Sequence, residues 1–315
     1  MTEAAVVIPF TGQWSSVIPT LQALAAQTLR SDITIVLSID GMEKPPSAIT
    51  ELVDICVNGV HKGPAAARNR GWKVTDANYI LFTDSDCIPD HSWAQIMIDM
   101  LKDEYQAVKG VYSSGGTRLI QRLAQVEFEE RYRLMARTET IHLADTYAAG
   151  FRRDWLERLG GFDESFPLPE HEDVDLSWRL TRAGGSIGFA ADALVAHTHR
   201  SSWNAYFRMK NRRGKWRIML VRKFPAMAVR DGYTPQTLKL QMLLSIPVLL
   251  SIFLIPFYPV VTVVLFLLFL LSSLPLFLTA LYTDHSVLFF IPFFAMWRGL
   301  ALFSGAVQGV TGRIK

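Results

Sequence analysis

From Leu240 to Trp297 the chain runs for 58 residues with one charged side chain, Asp284. Immediately before it, the stretch from Arg200 to Arg230 holds ten lysines or arginines: Arg200, Arg208, Lys210, Arg212, Arg213, Lys215, Arg217, Arg222, Lys223 and Arg230. No single water-soluble core accommodates such a change of composition, so a part suited to water must precede a part suited to lipid. The formal net charge of +3 conceals this asymmetry. With 315 residues there is room for one large domain ahead of the apolar region.

The apolar region divides into stretches at about 240–256, 259–281 and 286–307. A helix needs roughly 20 apolar residues to cross a bilayer. The second stretch satisfies this outright, the first does so with Pro247 and Pro256 as kinks, and the third carries Arg298. Basic residues favour the cytosolic side. The basic run at the start, and Arg298, Arg313 and Lys315 near the end, are therefore expected on that side. Two spans followed by an interfacial or re-entrant third helix meet this expectation; three spans, the alternative, would leave Arg313 and Lys315 outside. The basic run could also bind nucleic acid, but its position against the apolar stretches favours anionic lipid headgroups, and no nucleic acid is expected as a partner.

The first apolar run, Ala4 to Phe10, is short, lacks a basic flank and ends at Pro9-Phe10, so it reads as a buried strand and not as an export signal. The soluble part is expected in the cytosol of a cell with the protein in its inner membrane, as a multi-pass protein. Cys56 and Cys87 are too few for a disulfide framework and suit a reducing compartment.

Up to about residue 200, apolar runs alternate with helical patterns, which predicts an α/β domain. Strands are expected at Ala4–Pro9, Ile33–Ile39 and Tyr79–Thr83, and helices at Trp14–Gln27, Ala65–Val74 and Asp173–Ala183. Gly63-Pro64 marks one helix start and Gly184-Gly185 one helix end. Asp40 and Asp84-Ser85-Asp86 fall at the carboxyl ends of strands, where open α/β sheets bind ligands. In an extended segment residues two apart share a face, so Asp84 and Asp86 are expected to address one hard cation, Mg2+ or Mn2+. A turn with solvated acids is the alternative. Glu170-His171-Glu172-Asp173-Val174-Asp175 places four carboxylates in six residues at a helix start. That exceeds what offsetting the helix dipole requires and suggests a base.

Taken in order, these pieces resemble the family 2 glycosyltransferases. Val7-Ile8-Pro9-Phe10 is similar to that family's opening strand, Ser38-Ile39-Asp40-Gly41 to its base-binding strand end, and Gly63 to Gly71 to its glycine–alanine–arginine–asparagine helix. Phe82-Thr83-Asp84-Ser85-Asp86 resembles its metal motif. Leu159 to Glu164, then Glu172 to Leu176, resemble its acceptor loop and catalytic helix.

The resemblance implies a GT-A fold and inverting transfer from a UDP- or GDP-sugar. It puts Pro9, Asp40, Arg68, Asp84, Ser85 and Arg200 on the nucleotide-sugar and Asp86 with His197 on a Mn2+ or Mg2+ ion. Asp173 becomes the base with Glu172 beside it, and Gly150 and Trp216 fall in the acceptor region. For His197 a surface histidine pair at a strand end stays open, as does an interfacial role for Trp216. The domains implied are a GT-A catalytic domain over 1–205, a basic membrane-interface segment over 206–237 and transmembrane or interfacial helices over 238–315.

Processive members carry Gln-x-x-Arg-Trp. Here Arg212-Arg213-Gly214-Lys215-Trp216 stands in its place, so transfer of single sugars is expected, to a lipid or lipid-linked saccharide. An inactive membrane-bound nucleotide-sugar-binding or scaffold protein is the alternative. A dinucleotide-binding dehydrogenase is excluded, because Pro9-Phe10-Thr11-Gly12-Gln13 follows the first strand where G-x-G-x-x-G would be required.

Overall fold

The computed structural model describes residues 2–114, 116–166, 171–225 and 233–312. Glu170, Arg230, Arg313 and Lys315 lie outside the described residues. Two compact units emerge, one built from Met1–Gly115 and Met135–Thr198, the other from Gly116–Leu134 and His199–Lys315.

The first unit is organised on an eight-stranded mixed sheet. Its strands are β1 (Ala4–Phe10), β2 (Ile33–Asp40), β3 (Ile55–Gly59), β4 (Tyr79–Phe82), β5 (Cys87–Pro89), β6 (Ala107–Ser114), β7 (Ala149–Arg152) and β8 (Ile187–His197). Their order is β3-β2-β1-β4-β7-β6-β8-β5. The run β3-β2-β1-β4 is parallel, with Ala4 opposite Ile33 and Val7 opposite Phe82. β7 lies antiparallel between β4 and β6, and β5 is antiparallel to β8. β1 and β2 are buried almost throughout, as continuous apolar runs covered on both faces must be.

Around the sheet lie α1 (Trp14–Ala25), α2 (Ser47–Thr50), α3 (Pro64–Lys73) and α4 (Trp93–Asp103). After α5 (Leu119–Met135) come α6 (Arg153–Leu159) and α7 (Glu172–Arg182). The parallel strands β1, β2 and β4 all run toward Pro9, Asp40 and Asp84, so their carboxyl ends open on one edge of the sheet.

The second unit contains most of α5 together with α8 (Trp203–Lys223), α9 (Gln236–Ser251), α10 (Pro259–Ser272), α11 (Leu274–Thr283) and α12 (Ile291–Thr311). α8 lies directly against α12, because glycines let the backbones meet. A Cβ on Gly305 would collide with the carbonyl oxygen of Asn211, and one on Gly214 with that of Leu302. Trp203 extends the contact with edge-on packing against Phe293 and Trp297, and the Trp297 indole donates to its carbonyl at 3.1 Å.

The apolar stretches differ from expectation in two ways. The segment expected as one span over 259–281 is two helices bent by 45°. Pro275, in the first turn of α11, has no N–H to continue the ladder. Among the described residues two helices are long and apolar enough to cross a membrane, Gln236–Leu254 and His285–Thr311, with the bent pair a third if it is one span. Arg298, expected on the cytosolic side, is fully buried on α12. Its guanidinium lies 3.5 Å from Glu130 of α5 and donates to Gln241 of α9 at 2.7 Å. A buried cation finds its partner inside the protein, so it carries no information on membrane orientation.

Candidate active site

Arg68, on α3, is the centre of the site. It is buried, and its two terminal nitrogens reach different acids: Nη1 donates to Glu172 at 2.7 Å and Nη2 to Asp84 at 2.8 Å. One guanidinium thus ties the start of α7 to the end of β4. Burial alone would lower its pKa, but Asp84, Glu172 and Asp173 outweigh that and raise it. It is a permanent cation here.

Asp84 and Asp86 do not act as neighbours on an extended strand. The Cys87 N–H donates to the Asp84 carbonyl at 3.1 Å, which closes a turn. The two carboxylates therefore diverge. Asp84 goes to Arg68, while Asp86 extends toward His197, whose Nδ1 lies 3.7 Å from its carboxylate. The antiparallel pairing of Cys87 with His197 brings β5 and the end of β8 together. Asp86, Cys87 and His197 offer ligand atoms all within 4.8 Å of one another. Burial, then Asp84 and Asp86, push the Cys87 thiol well above its usual pKa, which favours the neutral thiol in the metal-free site. The carboxylate and the imidazole are donors suited to a divalent ion.

α7 begins at His171, which has φ of 71° and is the one non-glycine with positive φ among the described residues. Holding a histidine there costs ~1–2 kcal/mol, and such strain concentrates at functional sites. The turn directs Glu172 and Asp173 inward. Glu172 is buried, and its Oε2 has no hydrogen-bond partner among the described residues. Burial raises its pKa against the opposing pull of Arg68. Asp173 is pushed up to about 8, first by burial, then by Glu172 and Asp145, with Arg68 pulling the other way. Such a carboxyl is poised to take a proton near neutral pH.

The loop before α7 is clamped by Asn69, which accepts from the Phe162 N–H at 2.9 Å and donates to its carbonyl at 2.8 Å. Gly161 passes so close that a Cβ would strike the Asn69 amide oxygen, and its φ is +74°. Gly161 is thus a packing requirement of the Asn69 clamp, whereas Gly160 is needed for its φ of +75° and not for space.

The remaining expected residues fall as follows. Asp40 is buried with each carboxylate oxygen on a backbone N–H, Lys62 at 3.0 Å and Gly63 at 2.9 Å, so it holds the loop leading into α3. Pro9 is half-buried near the end of β1, and the Ser85 carbonyl accepts from Thr20 at 3.0 Å. Gly150 does not face the site. It lies inside the sheet, where a Cβ would meet Leu81 at 2.8 Å and Leu101 at 2.9 Å, and its smallness serves packing against α4. Arg200 and Trp216 belong to the second unit.

Sequence reasoning missed Lys109. It is buried in β6 and donates to the Tyr147 hydroxyl at 2.7 Å and to Asp145. A lysine inside the apolar run Ala107 to Tyr112 was the available signal, because a fully buried cation requires a partner.

Carboxylates gathered at the open ends of parallel strands, bridged by a buried arginine to a second pair of acids on a helix, define a GT-A nucleotide-sugar fold. The chain belongs to the family 2 glycosyltransferases: residues 5–160 match the family model described as Glycosyl transferase family 2. It is 31% identical over 147 residues to the pre-mycofactocin glycosyltransferase of Mycobacterium tuberculosis, a match covering 44% of this chain and 31% of that protein. To Glycosyltransferase AglE of Haloferax volcanii it is 25% identical over 216 residues, covering 62% of this chain and 67% of that one. The chain thus spans under a third of the first of these relatives. Among solved structures, the mannosyltransferase PcManGT of Pyrobaculum calidifontis, in complex with GDP-Man and Mn2+, shares the fold with a TM-score of 0.61. That alignment has 16% identity and covers 99% of this chain and 88% of the other.

Proposed function

We propose that this protein is a metal-dependent, inverting glycosyltransferase. It moves one sugar at a time from a UDP- or GDP-sugar to a lipid or lipid-linked saccharide, on the cytosolic face of a cell's inner membrane. The observation that carries this reading is the Arg68 bridge, which sets Asp84 and Glu172 on one guanidinium with Asp173 beside them. Nucleotide-sugar and base are thereby served from one constellation.

In this reading Asp173 takes the proton of the acceptor hydroxyl, whose oxygen then attacks the anomeric carbon from the face opposite the departing nucleoside diphosphate. Glu172, with one oxygen fixed by Arg68 and the other without a partner among the described residues, orients the acceptor. Asp86 and His197 hold the divalent ion, which when bound neutralises charge on the diphosphate. The relative crystallised with GDP-Man and Mn2+ supports a sugar nucleotide and Mn2+ as the pair to test first.

Support for membrane residence comes from the second unit. Phe253 is 78% exposed and Phe257 75% exposed between α9 and α10, and Phe289 is 89% exposed before α12. Exposed apolar surface of that extent suits a lipid solvent. The exposed cations Arg208, Arg212, Arg222 and Lys223 on α8 suit anionic headgroups.

The test is nucleoside-diphosphate release from UDP- and GDP-sugars by full-length protein in membranes, with Mn2+ or EDTA, with and without lipid extract. Mn2+-dependent release stimulated by lipid is expected. Donor binding with no release under any condition would support an inactive binding protein instead. Asp86→Ala is expected to weaken Mn2+-dependent donor binding on the order of tenfold or more, as loss of one charge-assisted ligand implies. Unchanged binding in calorimetry overturns the metal assignment.

The pH dependence follows from Asp173. Because the base must be ionised and its pKa is about 8, kcat/KM should rise with pH and level off above that value. The expected slope is about tenfold per unit on the acid side. A profile already flat from pH 6 upward removes Asp173 from the role of base.

A further inference from the structure

We propose that Asp145 is a specificity-determining residue that accepts hydrogen bonds from hydroxyl groups of the sugar carried by the donor nucleotide. This rests on the glycosyltransferase reading above and extends it to a residue outside the motifs that support it.

Placement is the first argument. Asp145 belongs to the segment that enters β7, and that segment is tied at both ends to the two halves of the site. On one side Ser177 of α7 accepts from the Ala144 N–H at 3.0 Å and donates to the Asp173 carbonyl at 2.7 Å. On the other, Thr83, next to Asp84, donates to the Tyr147 carbonyl at 2.9 Å. Residues 144–147 therefore thread between the base and the strand end that bears Asp84. The transferred sugar must lie between those same two points, because its anomeric carbon faces the acceptor and its C1–O bond leads to the diphosphate.

The second argument is how Asp145 is held. One carboxylate oxygen pairs with the buried Lys109 ammonium, which the Tyr147 hydroxyl also fixes by accepting from it at 2.7 Å. The other oxygen has no hydrogen-bond partner among the described residues, and the side chain is 26% exposed. A buried lysine is costly unless it has a task, and here it fixes a carboxylate with one oxygen free. Anchored at one oxygen and open at the other, the carboxylate is pre-organised to receive hydroxyl donors, as sugar recognition requires. Asp173 feels the same carboxylate, since Asp145 is among the charges that raise its pKa.

Calorimetry on full-length protein in detergent with Mn2+ tests this. UDP and GDP are compared with UDP-glucose, UDP-galactose, UDP-N-acetylglucosamine and GDP-mannose. Wild type should bind one sugar nucleotide more tightly than the matching nucleoside diphosphate. Asp145→Ala should leave the diphosphate's Kd unchanged and weaken the sugar nucleotide on the order of ten- to a hundredfold, the range for hydrogen bonds to a charged group. Asp145→Asn, which keeps the shape beside Lys109, should lose less of the same sugar-dependent increment. Should Asp145→Ala bind no nucleotide at all, the asparagine variant decides. Equal weakening of diphosphate and sugar nucleotide in that variant, or weakening of neither, overturns the assignment and leaves the glycosyltransferase reading standing. A wild type that binds no nucleotide takes both down.

Discussion

Asp173→Asn is expected to lower kcat by about 10^2- to 10^4-fold, the usual contribution of a positioned base, while donor affinity stays within a few-fold of wild type. The asparagine keeps the shape, and its amide oxygen can still accept from the Val174 N–H, as the carboxylate does at 2.8 Å. What disappears is the capacity to take a proton. Donor affinity should survive because Arg68 keeps its bonds to Asp84 and Glu172. Removing Asp173 also removes a negative neighbour of Glu172, so the Arg68 bridge does not depend on it. The measurement is nucleoside-diphosphate release alongside calorimetric donor binding. Parallel loss of both means that Asp173 supports the donor site and that the base lies elsewhere. Loss of release alone separates the two functions that the Arg68 bridge brings together.

Much of the first unit was legible in the sequence because its signals are local. Continuous apolar runs gave β1, β2 and β4, Gly63-Pro64 opened α3, and acids clustered where strands and helices ended. The site is harder to read because its contacts are distant in sequence. Arg68 to Glu172 spans 104 positions, and no periodicity announces it. Asp84 and Asp86 were assigned one face by strand alternation, whereas a turn sends them to different partners. The order of motifs compensated for this, since it brought Arg68, Asp84 and Asp173 together through resemblance.

Gly150 shows the opposite failure. The resemblance implied a place for it in the acceptor region, but the position a Cβ would take is filled by sheet packing against Leu81 and Leu101. The least legible element is α5. Glu127, Glu130 and Arg131 look like the solvated face of a surface helix, yet the two glutamates are buried in the second unit. Only the tertiary partners of a charge distinguish these cases, and those partners lie on α8 and α12.

The Glu127 cluster leads to the second large effect. Its carboxylate is 1% exposed and receives Lys210 and Arg131, each at 2.6 Å, on one oxygen and the Tyr206 hydroxyl at 2.6 Å on the other. Arg298 stands 3.9 Å away. Burial would raise the Glu127 pKa, but the three cations outweigh it and hold the carboxyl well below its usual range. Glu127→Ala leaves Lys210, itself buried, without its counter-charge. Breaking a buried pair from one side costs about 3–5 kcal/mol, and that loss is the expected destabilisation of the second unit. It should appear as a lowered unfolding midpoint of full-length protein in detergent.

The double variant Glu127→Leu with Lys210→Met discriminates between causes. If unpaired charge is the source, replacing both partners with apolar side chains should recover a large part of the loss, although Arg298 then relies on Glu130 and Gln241 alone. A double variant as unstable as the single one would show that the Lys210 charge is not the source, and would place the loss in packing volume at the α5–α8 contact or in Arg131 and Arg298, which lose Glu127 in both variants. Recovery would instead show that unpaired charge is the source of the loss and that the charges are dispensable for stability.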